Sequence, residues 1–503
     1  MFVLFVSCES GFDSMNTHPT ALTAVEPAFQ LNNAISASAP NFTHAQCETS
    51  IVKQHMRIFS GVGACGNFNQ NSRPTHNWNY TNQVRNLVEV INVTADDPSQ
   101  VNLHNMARIW LAYTVMITTD SYGDVPYLEA GRALEGISAP AYDSQEQIYT
   151  GPNGILEEFR QATLELNTGS PTVSSDILYA GDITKWQRLG NSLLLRAAMR
   201  LVKVAPDIAE EYVGIAVNGP GGLMQSNDDN ALLRHNSQFQ NGPGNSLNGG
   251  QAHFNYLVED FVEFLKGTDD PRLEAISVRY PGAQGATDMW DMIEAGTDDT
   301  TPENQVGIPM GYDNVSISGP IAADDRVSSL FAYSQVDRTR MMTPTAPSFL
   351  VTFAHTALLH AEAVIHGWVT GDASGLYSAA IEAHMQQFAH PDYGPGTAID
   401  QSDIDTYIQN NPLEAGQELE QINNQYWVAT FMIGNEAFAN FRRSGFPDLT
   451  PNTYPNNDLT TEPFMRRFAY PDREISVNTT NVQAAISSQG GDAIDTRVWW
   501  DVP

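Results

Sequence analysis

Cysteine is scarce in this chain: three in 503 residues. Three thiols cannot build a disulfide framework, although Cys47 and Cys65 could pair and leave Cys8 over. There is no CxxC, no HExxH and no cluster of His and Cys at ligand spacing. His355 and His360 are five apart on one helical pattern and so do not share a face. Structural zinc is therefore not expected, no Asp run has the spacing of a calcium loop, and no cofactor is called for. Basic residues are also few, Lys+Arg 25 against Asp+Glu 58, for a formal charge of −33. That deficit excludes a nucleic-acid backbone as partner, because phosphate contacts need clustered cations. No apolar run reaches the ~18 residues that would span a bilayer as a helix.

What is present is ample apolar material, 42% of residues, with 10% aromatic. That is enough for a large core and too much for a disordered acidic chain. Apolar residues recur at three- and four-residue intervals over 101–118, 154–167 and 185–204, which predicts helices. A further helix is expected from Phe349 to His366, capped by Ser348. After the break Gly367-Trp368-Val369-Thr370-Gly371, Asp372 caps another. Small residues on the first of these (Ala354, Ala357, Ala361, Ala363) allow close antiparallel approach. This is the logic of tetratricopeptide hairpins, although the ~34-residue period is not regular; a plain αα-hairpin describes it equally well. Three stretches rich in Gly, Asn, Asp and Pro, 59–82, 218–250 and 280–325, read as long loops. Loops of that length in a helical chain are often functional.

The amino terminus reads Met1-Phe2-Val3-Leu4-Phe5-Val6-Ser7-Cys8, a short apolar run, a small residue and a cysteine, followed by a polar stretch. This is similar to the end of a bacterial lipoprotein signal, with Cys8 as the acylated residue. A buried strand from Phe2 to Val6 is the alternative.

Six motifs in order then resemble one family. Asp120-Ser121-Tyr122-Gly123-Asp124-Val125-Pro126-Tyr127-Leu128-Glu129-Ala130 resembles the D-x-[FY]-G-D-V-P signature of the SusD/RagB (SusD-like) outer-membrane glycan-binding lipoproteins of Bacteroidetes, and Tyr142 to Tyr149 fits the segment that follows it. Trp186, Asn191-Ser192-Leu193 and Leu195-Arg196-Ala197-Ala198-Met199-Arg200 are similar to the family's central helix. So are Ala361-Glu362-Ala363 with Gly367-Trp368, Asn440 to Pro447, and the closing Arg466 to Glu474 with Arg497-Val498-Trp499-Trp500-Asp501. The resemblance implies a mostly α fold, a tetratricopeptide-like scaffold carrying glycan-binding loops. Residues 1–8 would be the signal remnant and 9–503 a single domain. It also implies a non-catalytic, lipid-anchored protein at the cell surface that delivers oligosaccharide to a SusC-like TonB-dependent transporter. Most motif residues are expected to serve the scaffold. Arg196, Arg200, Arg442 and Arg443 should pair with buried carboxylates such as Glu362.

Sugars are bound without a metal by stacking an aromatic face on the C–H face of the ring, with polar side chains meeting the hydroxyls. Trp110, Trp186, Trp368 and Trp427 lie in or beside helical patterns and are assigned to the core. Trp499 and Trp500 belong to the closing motif. Trp78 and Trp290 remain, both in irregular polar loops. They are the candidates for a stacking surface, with Tyr80 beside them and Asn67, Arg73, Asn77 and Asp288 as hydrogen-bonding partners. The charge points to a neutral glycan, a β-glucan such as laminarin being one example. Two rivals stand. One is a glycoside hydrolase using two carboxylates, although the acidic pairs Asp228-Asp229, Asp269-Asp270, Asp298-Asp299 and Asp324-Asp325 sit in turn-like contexts where Asp is favoured anyway. The other is a helical scaffold that docks proteins.

Overall fold

The computed structural model describes residues 25–40, 57–58, 78–249, 255–313 and 315–503. The structure is 51% helix and 4% strand, which makes the fold mostly α, as the periodicity predicts. The principal helices are α1 (Pro27–Ser36), α2 (Arg85–Thr94), α3 (Val101–Tyr122), α4 (Ile155–Glu165), α5 (Ile183–Met199) and α6 (Pro206–Asn218). They are followed by α7 (Ala286–Ala295), α8 (Phe353–Ile365), α9 (Ala373–Gln387), α10 (Glu418–Ala429) and α11 (Gly434–Ser444).

From α1 to α6 each helix packs against the next in sequence, and α8 packs against both α9 and α10. This neighbour-on-neighbour order is that of a tetratricopeptide-like stack. The two halves meet where α5 packs on α8 and where α11 packs on α3. One main core runs from Ala28 to Trp500. Its centre is α3, whose face from Met106 to Tyr122 is buried almost without interruption.

The strands are short antiparallel clips: β1 (Arg57–Ile58) with β3 (Asn255–Tyr256), β2 (Ala231–Leu233) with β6 (Ser348–Val351), and β4 (Ser277–Val278) with β5 (Gln335–Val336). The β2–β6 clip corrects one expectation. Helix α8 begins at Phe353 with Thr352 as its cap, accepting from the His355 amide. Ser348 belongs to a strand instead. Phe349, Leu350 and Val351 are β-forming residues with a strand opposite, and pairing outweighs the helical pattern. Asp372 caps α9 as expected, accepting from the Gly375 amide at 3.0 Å. The stretches 218–250 and 280–325 are not structureless: the first carries β2 and a short helix, and the second carries α7.

The family-like motifs bolt the ends of the chain together. Asp120 at the end of α3 accepts from Trp500 Nε1 at 2.9 Å, from the Tyr149 hydroxyl, and from Arg200 Nε at 3.1 Å. Arg200 also meets Glu436 at 2.6 Å, and Arg196 lies 3.4 Å from the same carboxylate. Arg443 clasps Glu362 with two bonds. Arg442 departs from the expectation. It has no carboxylate within ion-pair distance among the described residues and lies instead 3.7 Å over Phe438 and 4.7 Å over Trp500. Two aromatic faces and the Phe438 and Arg466 carbonyls, which accept from it at 3.1 and 2.8 Å, meet the guanidinium instead.

A candidate glycan surface around Trp78

Trp78 lies two residues before a π-helical segment, Tyr80–Val84, that runs into α2. Such segments are common at functional sites. Its indole is half-buried. It meets Tyr122 edge-on at 5.0 Å and 81°, Tyr470 at 6.2 Å and 83°, and Tyr80 at 5.0 Å and 59°. Tyr122 and Tyr470 are themselves stacked, with planes 12° apart. Edge-to-face contact fixes the indole plane while leaving part of the ring in reach of solvent.

This seat is built from motif residues. Tyr122 comes from the turn at the end of α3 and Tyr470 from the closing segment. The Tyr470 hydroxyl donates to the Asp124 carbonyl and accepts from Gln489 Nε2 at 2.6 Å. The turn needs Gly123, which has φ 81°, and a Cβ there would lie 1.8 Å from Gln489 Oε1. Asp124 closes the turn by accepting from the Gln145 amide at 2.9 Å and from the Ser488 hydroxyl at 2.8 Å. Tyr80 is tied down by its hydroxyl, which donates to the Pro126 carbonyl at 2.7 Å. Burial, with Glu474 next in effect, pushes its phenol well above its usual value, so it stays a neutral hydrogen-bonding group. Tyr122 and Tyr470 belong to motifs whose residues are mostly expected to serve the scaffold. Only tertiary packing places both rings beneath Trp78.

Trp290 is placed differently from the expectation. It sits on α7, not in an irregular loop, between the helix-bounding glycines Gly285 and Gly296. Its half-buried ring packs with Met292 and Ile293 onto a small separate core of Val278, Tyr280, Ala283, Met289 and Phe331. The fully buried guanidinium of Arg338 lies 5.8 Å from its centre. The Asp and Gly that flank it suggest a loop, yet both serve the helix: Asp288, in the first turn, accepts from the Gln284 amide at 2.8 Å, and Gly296 takes the left-handed cap. Trp78 and Trp290 therefore pack on different clusters. Asn67, Arg73, Asn77 and Cys8, with Cys47 and Cys65, lie outside the described residues. Trp110, Trp186 and Trp427 are buried as expected, whereas Trp368 is half-buried and stacked on His366 at 4.7 Å.

The model of the SusD-like family, described as starch-binding and associating with the outer membrane, matches residues 19–471. The chain belongs to this family. Among solved structures, a chitin-binding protein is 29% identical, with a TM-score of 0.80 over 95% of this chain and 100% of that one. A SusD-like protein of Bacteroidetes AC2a is 25% identical, with a TM-score of 0.77 over 95% and 100%. A SusD homologue of Bacteroides uniformis is 23% identical and shares the fold, with a TM-score of 0.75 over 95% and 99%. No curated protein matches the chain.

Proposed function

We propose that this protein captures a neutral polysaccharide or oligosaccharide outside the cell and passes it to a SusC-like TonB-dependent transporter. In this reading residues 9–503 act as one unit, held on the outer membrane by a lipid on Cys8. The observation that carries the glycan reading is the half-buried Trp78 indole, held edge-on by Tyr122 and Tyr470. An aromatic plane fixed in advance and partly open suits the C–H face of a sugar, since little ordering is left to be lost on binding. Tyr80 beside it, with Asn67, Arg73 and Asn77 in the preceding segment, completes the proposed site. Trp290 and Asp288 on α7 form a second aromatic position.

Neutrality follows from a charge of −33, which repels polyanions. Laminarin-type β-glucans meet this condition. So do chains of N-acetylglucosamine, which the resemblance to a chitin-binding protein favours. Binding without cleavage is supported by the fate of three of the four acidic pairs: Asp229 is held by Arg188 at 3.0 Å, Asp270 by Arg272 and Asp324 by Arg326, while Asp299 accepts from the Thr301 amide and from Asn304. The decisive experiment is affinity electrophoresis in gels containing laminarin, glycol chitin or a sulfated galactan. We expect retardation in a neutral gel, lost in Trp78→Ala. Retardation unchanged in that variant removes Trp78 from the site. Release of reducing sugar on prolonged incubation would replace the reading with that of a hydrolase.

A further inference from the structure

Phe349 is the second residue of β6. Side chains alternate across a strand, so the burial of Ser348 and Leu350 turns Phe349 to the opposite face, where it is half-buried. On that face its cross-strand neighbour is Leu232, and its ring meets His390 edge-on at 6.1 Å and 85°. On one side Phe349 lines a narrow notch with Ser38, Asn79 and Gln83. Asn79 is the residue next to Trp78. On the other side Phe349 lines a cleft of about 400 Å³ between the start of α5, the segment around β2 and the end of α9. That volume falls within the ~300–1,000 Å³ of small-molecule sites, which the notch does not approach.

The cleft is furnished with oriented polar groups. Asn230 and Gln387 both donate to Asn227 Oδ1, at 3.0 and 3.4 Å, while Asn227 Nδ2 donates to the Ala383 carbonyl at 2.8 Å. This amide chain holds Gln387, only 8% exposed, with its Oε1 accepting from no group among the described residues. Lys185 gives one N–H to the Asp228 carbonyl at 2.7 Å, and an ammonium has three. The side chain of Arg234 is 66% exposed and, among the described residues, pairs with Asp392 alone, at 3.4 Å. Arg234 is thus paired with a carboxylate, whereas Lys185 meets a backbone carbonyl. A cleft with fixed donors, one spare acceptor and an aromatic rim suits hydroxyl and acetamido groups.

We propose that this cleft and Phe349 continue the surface that begins at Trp78, so that one neutral polysaccharide chain runs from Asn79 across Phe349 to Gln387. The inference rests on the glycan reading of Trp78 and extends it from a single ledge to a track. A track makes affinity depend on chain length, because only a long oligosaccharide reaches both ends.

Calorimetry with chitin and laminarin oligosaccharides, from disaccharides to octasaccharides, tests this. The unmodified protein should bind the octasaccharide of its preferred glycan at least about tenfold more tightly than the disaccharide. Phe349→Leu, which keeps an apolar side chain in β6, should lose about fivefold or more for the octasaccharide. Arg234→Ala, on an exposed side chain, should weaken the octasaccharide in the same direction without altering the melting temperature, which keeps the test valid if Phe349→Leu folds poorly. Octasaccharide affinity unchanged in both variants, or equal affinity of the unmodified protein for short and long chains, overturns the track while leaving Trp78 as a glycan site. No binding of any oligosaccharide overturns the glycan reading itself, and the track with it.

Discussion

Trp500 and Asp120 are 380 positions apart in sequence, and the indole N–H of one donates to the carboxylate of the other at 2.9 Å. The bond is buried, and Arg200 holds the second carboxylate oxygen at 3.1 Å. The closing segment of the chain is thereby fastened to the helix whose last turn supports Trp78. A stability defect at this bond therefore reaches the proposed glycan surface.

Asp120→Asn keeps the shape and removes the charge. It leaves Arg200 with Glu436 as its sole carboxylate, and Glu436 already serves Arg196. Breaking a buried ion pair from one side costs about 3–5 kcal/mol. Urea unfolding should show a loss of this order, with Trp500→Phe losing less, because it removes one neutral donor and keeps the packing. A loss in Asp120→Asn no larger than in Trp500→Phe would contradict the network's importance.

Gly123→Ala should destabilise through two effects. The position has positive φ, and the new Cβ would lie 1.8 Å from Gln489 Oε1. Backbone strain of this kind costs about 1–3 kcal/mol. Pairing it with Gln489→Ala should recover the clash but not the strain, so a double-mutant cycle should show partial coupling.

Acid should destabilise the fold in two stages. Burial, reinforced by Arg196, lowers His355 from 6.5 to about 3. Unfolded His355 therefore binds a proton that folded His355 refuses, and stability falls as pH drops below about 6.5. Burial alone would raise Glu362 and Glu436, but Arg443 and the Arg196–Arg200 pair hold each at about 2 against 4.5. Their contribution is fully present above pH 4.5 and is lost as pH falls towards 2. Burial also lowers His384 well below its usual value, so melting temperatures across pH 3–8 should decline gently below 6.5 and steeply below 4.5, and His355→Gln should make the first stage shallower without removing it.

Binding of a neutral glycan should be nearly independent of ionic strength, since no counter-ion is released and no charge is neutralised. Any retardation in a sulfated gel should appear only at high salt, where the repulsion of the acidic surface is screened. Tight binding to a sulfated chain in low salt would contradict neutrality.

Trp78→Phe should retain part of the affinity that Trp78→Ala loses, because a smaller ring still stacks on the edges of Tyr122 and Tyr470. Calorimetry on the best glycan separates the two. Equal losses would mean that the indole N–H, rather than the ring face, makes the contact.

Helical periodicity, the caps at Asp372 and the buried arginine motifs were legible because they are local: spacing, turn chemistry and the cost of an unpaired buried charge act over a few residues. Arg196, Arg200 and Arg443 found carboxylates because a buried cation requires compensation, and Arg442 found two aromatic faces for the same reason. The strand at Ser348–Val351 was hidden, since its partner Ala231–Leu233 lies more than a hundred residues away. Trp290 looked like a loop residue because the Gly and Asp that bound a helix are also those that make turns. What the sequence by itself determined is the helical stack, its acidic surface and the scarcity of cysteine. Tertiary structure alone decided which rings lie beneath Trp78, and that Phe349 parts a notch from a cleft. Those are distances between residues far apart in the chain, and no local preference encodes them.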